Sequence, residues 1–126
     1  MTERQSQVGE DLVAERQLVV GLVAAPGLPF ELAKTLAQRL SAVMQVPDSP
    51  VRWEFVVRPE PLVGTASIDV DLVQLARERM LSEEWHFAIC LTDLPLRVRR
   101  RPVTAFASRA LGVGVVSVPA FGAVDL

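Results

Sequence analysis

Apolar positions along this chain repeat with two different periods, and the changes of period mark out the elements. Residues 1–16 are polar and mixed in charge, a loose arm with room for one helical turn around Asp11–Arg16. Gln17–Ala25 (QLVVGLVAA) is continuously apolar and rich in β-branched residues, the pattern of a strand covered on both faces. Pro26-Gly27-Leu28-Pro29 then reads as a loop, with Pro29 suited to a first helical position. Phe30, Ala33, Ala37, Leu40 and Met44 recur at helical spacing, with Glu31, Lys34 and Gln38 off that stripe. Pro47-Asp48-Ser49-Pro50 is a turn cluster. After it, Val51, Trp53, Phe55 and Val57 alternate with Arg52, Glu54 and Arg58, which predicts a half-exposed strand ended by Pro59 and Pro61.

The second half repeats the alternation. Asp69 or Asp71 is placed to cap a helix running to about Glu84, with Leu72, Leu75, Ala76 and Met80 inward. His86–Thr92 (HFAICLT) is a second doubly covered strand, and Asp93 to Pro102 reads as a long Arg-rich loop. Val103–Ser108 and Val113–Val118 predict a hairpin around Gly112. The order β-α-β-α-β, followed by two more strands, predicts an α/β fold with a mixed sheet of about five strands and helices packed on it. Right-handed crossovers place the first strand between the second and third, with the last two added at an edge. Residues 17–126 form a single α/β domain.

Composition narrows the class. With 126 residues, half of them hydrophobic, and a net charge of −2, the chain has a real core to bury and is not of disordered composition. A sequence pI near 5.4 gives no footprint for specific nucleic-acid binding. Cys90 is the single cysteine, so no internal disulfide and no multi-thiolate zinc site is possible. No secretory signal or bilayer-length apolar run is present, which predicts a cytoplasmic location. Mean hydropathy is +0.31, so either the core is unusually aliphatic or some apolar surface meets a partner. The nearly all-apolar run from Gly112 to Leu126 reads as a piece cut from a longer chain.

Few residues carry chemistry. In open α/β sheets ligands sit beyond the C-terminal ends of parallel strands, which selects Gly27 after the first strand and Thr92-Asp93 after the third. Against this stands the ordinary reading, in which Thr92 and Asp93 only hydrogen-bond the following turn. Arg97, Arg99, Arg100 and Arg101 form the strongest charge concentration, able to bind phosphate or an anionic membrane surface. Without interleaved aromatics they form no base-stacking platform, and a solvated loop is the favoured reading of them. His86 stands alone and reads as a strand-leading residue with its ring hydrogen-bonded, while Cys90 reads as a buried, inert small hydrophobe. Four residues apart on one strand, they would stand about 13 Å from each other, too far for a dyad. There is no nucleophile elbow, dinucleotide fingerprint or P-loop, and no cofactor or metal is implied.

The segments Leu91–Leu96, Arg101–Ala105 and Val113–Gly122, with the leading strand LVVGLVAAPG, resemble a family of actinobacterial domains of unknown function. That resemblance implies the soluble N-terminal part of a larger protein with membrane segments. The chain is also similar, more faintly, to the N-terminal half of archaemetzincins, through Thr92-Asp93 at a strand end and Val116-Ser117 in a later strand. It has no H-E-x-x-H motif, so zinc and peptidase activity do not carry over.

The leading expectation is therefore a non-catalytic interaction or regulatory domain of a membrane-associated protein. Its partner would be the remainder of its own chain, another protein, or a second copy in a homodimer. The alternatives are a zincin-like hydrolase fragment lacking its metal-binding half, and a small-ligand binder at the Gly27/Asp93 rim.

Overall fold

The computed structural model describes residues 16–61, 63, 71–98, 101–103 and 105–118, with only the backbone described at 97, 98 and 101–103. Its elements are β1 (Arg16–Ala24), α1 (Leu28–Met44), β2 (Val51–Pro59), α2 (Leu72–Ser82), β3 (Phe87–Thr92), β4 (Leu96–Val98), β5 (Arg101–Val103), β6 (Ala105–Ser108) and β7 (Val113–Ser117). Five strands form one sheet in the order β2-β1-β3-β7-β6. The first four are parallel neighbours, and β6 returns antiparallel to β7. The predicted α/β class, the central place of the first strand and the hairpin added at an edge all hold.

Strand alternation divides the side chains between two helix layers. On one face, Val20, Leu22 and Ala24 of β1 and Leu91 of β3 pack with Ala33 and Ala37 of α1. On the other, Val23, Ala88, Cys90, Val113 and Val115 pack with Leu72, Ala76 and Met80 of α2. Gly21 faces α2 and allows Trp85 onto the sheet, since a Cβ there would stand 2.0 Å from the indole Cε3. Such overlap costs a well-packed core on the order of 1–3 kcal/mol, so the position needs glycine.

The ends of α2 show why it stops where it does. Asp71 caps it by accepting from the Val73 and Gln74 amides at 3.1 and 3.2 Å. At the other end the Trp85 N–H donates to Met80 O and the Glu84 N–H to Leu81 O, a Schellman pair. Glu84 holds the left-handed position with φ 60°, where glycine is usual.

Five expectations need correction. β1 begins and ends one residue earlier than Gln17–Ala25, and α1 begins at Leu28, so Pro29 is its second residue. The segment expected to be a long loop contains a small antiparallel ribbon, β4 with β5, in the register Leu96↔Val103, Arg97↔Pro102 and Val98↔Arg101. Leu96 is buried in the α2-side core and anchors it. Because Val103 belongs to that ribbon, the expected strand Val103–Ser108 reduces to Ala105–Ser108, and β7 ends at Ser117 rather than Val118. The alternative cap Asp69 and the arm before Arg16 lie outside the described residues, as do residues 119–126.

Candidate functional site

The order β2-β1-β3 makes two crossovers diverge from the middle of the sheet. α1 joins β1 to β2 across one face, and α2 leads from β2 to β3 across the other. The C-terminal ends of β1 and β3 therefore flank the topological switch point, where α/β sheets bind ligands. These two strands are hydrogen-bonded up to their ends, the Ala25 N–H donating to Leu91 O at 3.1 Å. Gly27 and Asp93 thus leave the sheet from neighbouring strands at the expected rim.

The side chains at that rim are mostly occupied. Thr92 is fully buried, and its Oγ1 donates to Val63 O and accepts from the Leu94 N–H, both at 3.1 Å. Ser117, its register partner on β7, donates from Oγ to Leu94 O at 3.0 Å. Two hydroxyls from adjacent strands thus hold the backbone of half-buried Leu94, pairing polar groups of the turn that follows β3. Gly27 is exposed at φ 92° with no heavy atom within 4 Å of a would-be Cβ. It serves the turn into α1, accepting from the Glu31 N–H at 3.1 Å, and not a close approach. Asp93 is exposed, and no hydrogen bond or ion pair engages its carboxylate among the described residues.

His86 leads β3 and clamps Val19. Its N–H donates to Val19 O at 2.9 Å, and its Nδ1 accepts from the Val19 N–H at 2.9 Å. Cys90 points into the α2 layer, fully buried, and its thiol pKa is pushed up to about 12, first by burial and then by the charge of Glu60. The thiol stays protonated and shielded at neutral pH, so Cys90 offers no nucleophile. The side chains of Arg97 and Arg101, and Arg99 and Arg100 entirely, lie outside the described residues. Among the described residues no three His, Cys, Asp or Glu side chains group as metal ligands.

One charged cluster escaped the sequence reading. Arg58 on β2 meets Glu83 at 3.5 Å, Glu83 meets Arg79 at 3.4 Å, and Arg79 meets Glu60 at 3.3 Å. This half-buried, charge-neutral chain ties the end of β2 to α2. The legible part of its signal was the i,i+4 spacing of Arg79 and Glu83. Arg79 Nε and Glu83 Oε2 are buried and touch as an ion pair without an aligned hydrogen bond.

A partly exposed apolar sheet face lies elsewhere. β3, β7 and β6 alternate so that Phe87, Ile89, Gly114, Val116, Ala105 and Ala107 point to the α1 side, while α1 itself packs mainly on β1 and β2. Phe87 is 41% exposed, its ring 6.2 Å from that of Trp53, and Ala105 and Ala107 are exposed.

The two sheet edges differ as well. Along β2 the even-numbered residues bond to β1, as Glu60 N–H to Ala24 O shows, so the odd-numbered ones face outward. There the Gln45 side-chain amide takes both the N–H and the C=O of Trp53, and Ser49 Oγ takes the Val51 N–H. The Arg58 guanidinium takes Val57 O, and Pro59 has no N–H to offer. That edge is blunted.

Along β6 the Ser108 carbonyl turns inward to the Gly112 N–H, and Gly112 O bonds across to β3. The alternation then leaves the N–H and C=O of Ala105 and Ala107 facing outward, with no partner among the described residues. Comparison with protein-family models, with curated proteins and with solved structures returns no match, so the functional reading rests on these residues and their geometry.

Proposed function

We propose that this chain is a non-catalytic interaction or regulatory domain, the cytoplasmic module of a larger membrane-associated protein. The observation that carries the interaction role is the sheet face where Phe87, Ala105 and Ala107 are exposed, continuous with a β6 edge that no described residue covers. Exposed apolar surface of this kind, beside a strand with unpaired backbone groups, is what a protein partner covers. The buried hydroxyls at the opposite candidate, the rim, are engaged in holding the fold. Membrane association rests on the resemblance to the actinobacterial domains. No helix among the described residues is long and apolar enough to cross a membrane.

A second reading keeps Gly27 and Asp93 as a small-ligand rim, favoured by their place at the switch point. Amide-resolved NMR on the isotopically labelled chain separates the two. Extract of its own cells is split by ultrafiltration into macromolecular and small-molecule fractions. The interaction reading expects shifts at Phe87, Ala105 and Ala107 with the macromolecular fraction. Shifts at Gly27, Thr92 and Asp93 with the ultrafiltrate would replace it by the ligand reading.

A further inference from the structure

We infer that the β6 edge pairs with the β6 edge of a second copy of this chain, joining two five-stranded sheets into one. The inference rests on the interaction reading above and names the partner. Its first support is the contrast between the edges. Side chains of Gln45, Ser49 and Arg58 and the ring of Pro59 close β2 at most of its outward positions. At β6 the outward N–H and C=O of Ala105 and Ala107 have no such cover among the described residues. Outward backbone groups at that spacing are a template on which another extended strand can pair.

The second support is self-complementarity, which favours a copy over a foreign strand. An antiparallel twofold through Phe106 sets Ala105 opposite Ala107 of the partner subunit, and Ala107 opposite Ala105 of the partner subunit, so both outward residues on each side meet their counterparts. Each such pair exchanges two hydrogen bonds at a Cα separation of about 5.5 Å. Phe106 then faces its own copy in a non-hydrogen-bonded position, where aromatic pairs stabilise a sheet. Neither Ala105-Phe106-Ala107 nor the adjoining face residues Phe87, Gly114 and Val116 carry charge, so the contact brings no like charges together. The arrangement is isologous and closes at two subunits, without an open fibre. The α1-side faces of the two copies become continuous, with the exposed Ala105 and Ala107 of each copy at the centre.

Sedimentation velocity on the whole 126-residue chain over a concentration series tests this. The wild type is expected as a dimer at high concentration, dissociating on dilution. Ala107→Pro removes one outward N–H that has no acceptor among the described residues, a position edge strands tolerate, and should give a folded monomer. Ala105→Lys with Ala107→Lys keeps the amides but sets lysine opposite lysine on the exposed face, and should weaken association at least about tenfold. A wild type that stays monomeric at all concentrations overturns the inference. So does a dimer that both variants leave unchanged while circular dichroism shows them folded. A monomer that still gives macromolecular shifts at Phe87 removes only this inference and leaves the interaction reading standing.

Discussion

Two residues decide much by accepting unusual positions. Glu84 adopts φ 60° at the end of α2, where a β-carbon costs about 1 kcal/mol or more, offset by the hydrogen bonds of the Schellman turn. Since Glu84 is exposed, its side chain contributes little packing. Glu84→Gly should therefore raise stability to chemical denaturation by about 0.5–1 kcal/mol after the greater entropy of an unfolded glycine is subtracted. A fall in stability would mean that the carboxylate has a role the turn geometry does not account for. His86 shows the opposite economy, with one residue supplying both a backbone donor and a ring acceptor to Val19. That the ring would be hydrogen-bonded was legible from its place before an apolar strand. The identity of the partner was not, because Val19 lies 67 residues away and only the β1–β3 register brings it near.

At the scale of elements, the sequence announced the strands and helices through their periods, and failed where a period was masked by charge. Leu96-Arg97-Val98 and Arg101-Pro102-Val103 are short alternating runs, but the concentration of arginine made the whole stretch read as solvated loop. Edge protection was equally hidden, since Gln45 lies in the linker after α1 and looks like any polar surface residue. In the fold it stands in for a neighbouring strand at Trp53. Gln45→Ala should cost about 1 kcal/mol, as expected for exposed hydrogen bonds, and should open the β2 edge. Made together with Ala105→Lys and Ala107→Lys, which close the β6 edge to a second copy, it should introduce concentration-dependent association in sedimentation. If that triple variant stays monomeric, Gln45 is not what protects the edge.

At the scale of the whole molecule, the topology creates both candidate sites. The switch point at the ends of β1 and β3 follows from the strand order, and that order was readable from the alternation of elements. What the alternation could not reveal is how the buried hydroxyls there are used, because the bonds from Thr92 to Val63 and from Ser117 to Leu94 join segments far apart in sequence. The apolar face was foreshadowed only as an excess of hydropathy, without an address. Its location follows from two helices covering unequal parts of a five-stranded sheet: α1 packs mainly on β1 and β2, and among the described residues no helix covers β6 on that face.

The central claim is that this face and its edge, and not the rim, are the working surface. Hydrogen exchange resolved to single amides, on the labelled chain in extract of its own cells, addresses that claim most directly. The account predicts that the amides of Ala105 and Ala107, which have no acceptor among the described residues, are protected there and lose protection when the purified chain is diluted. Rapid exchange at Ala105 and Ala107 under every condition, with new protection appearing at Gly27 and Asp93, would contradict it.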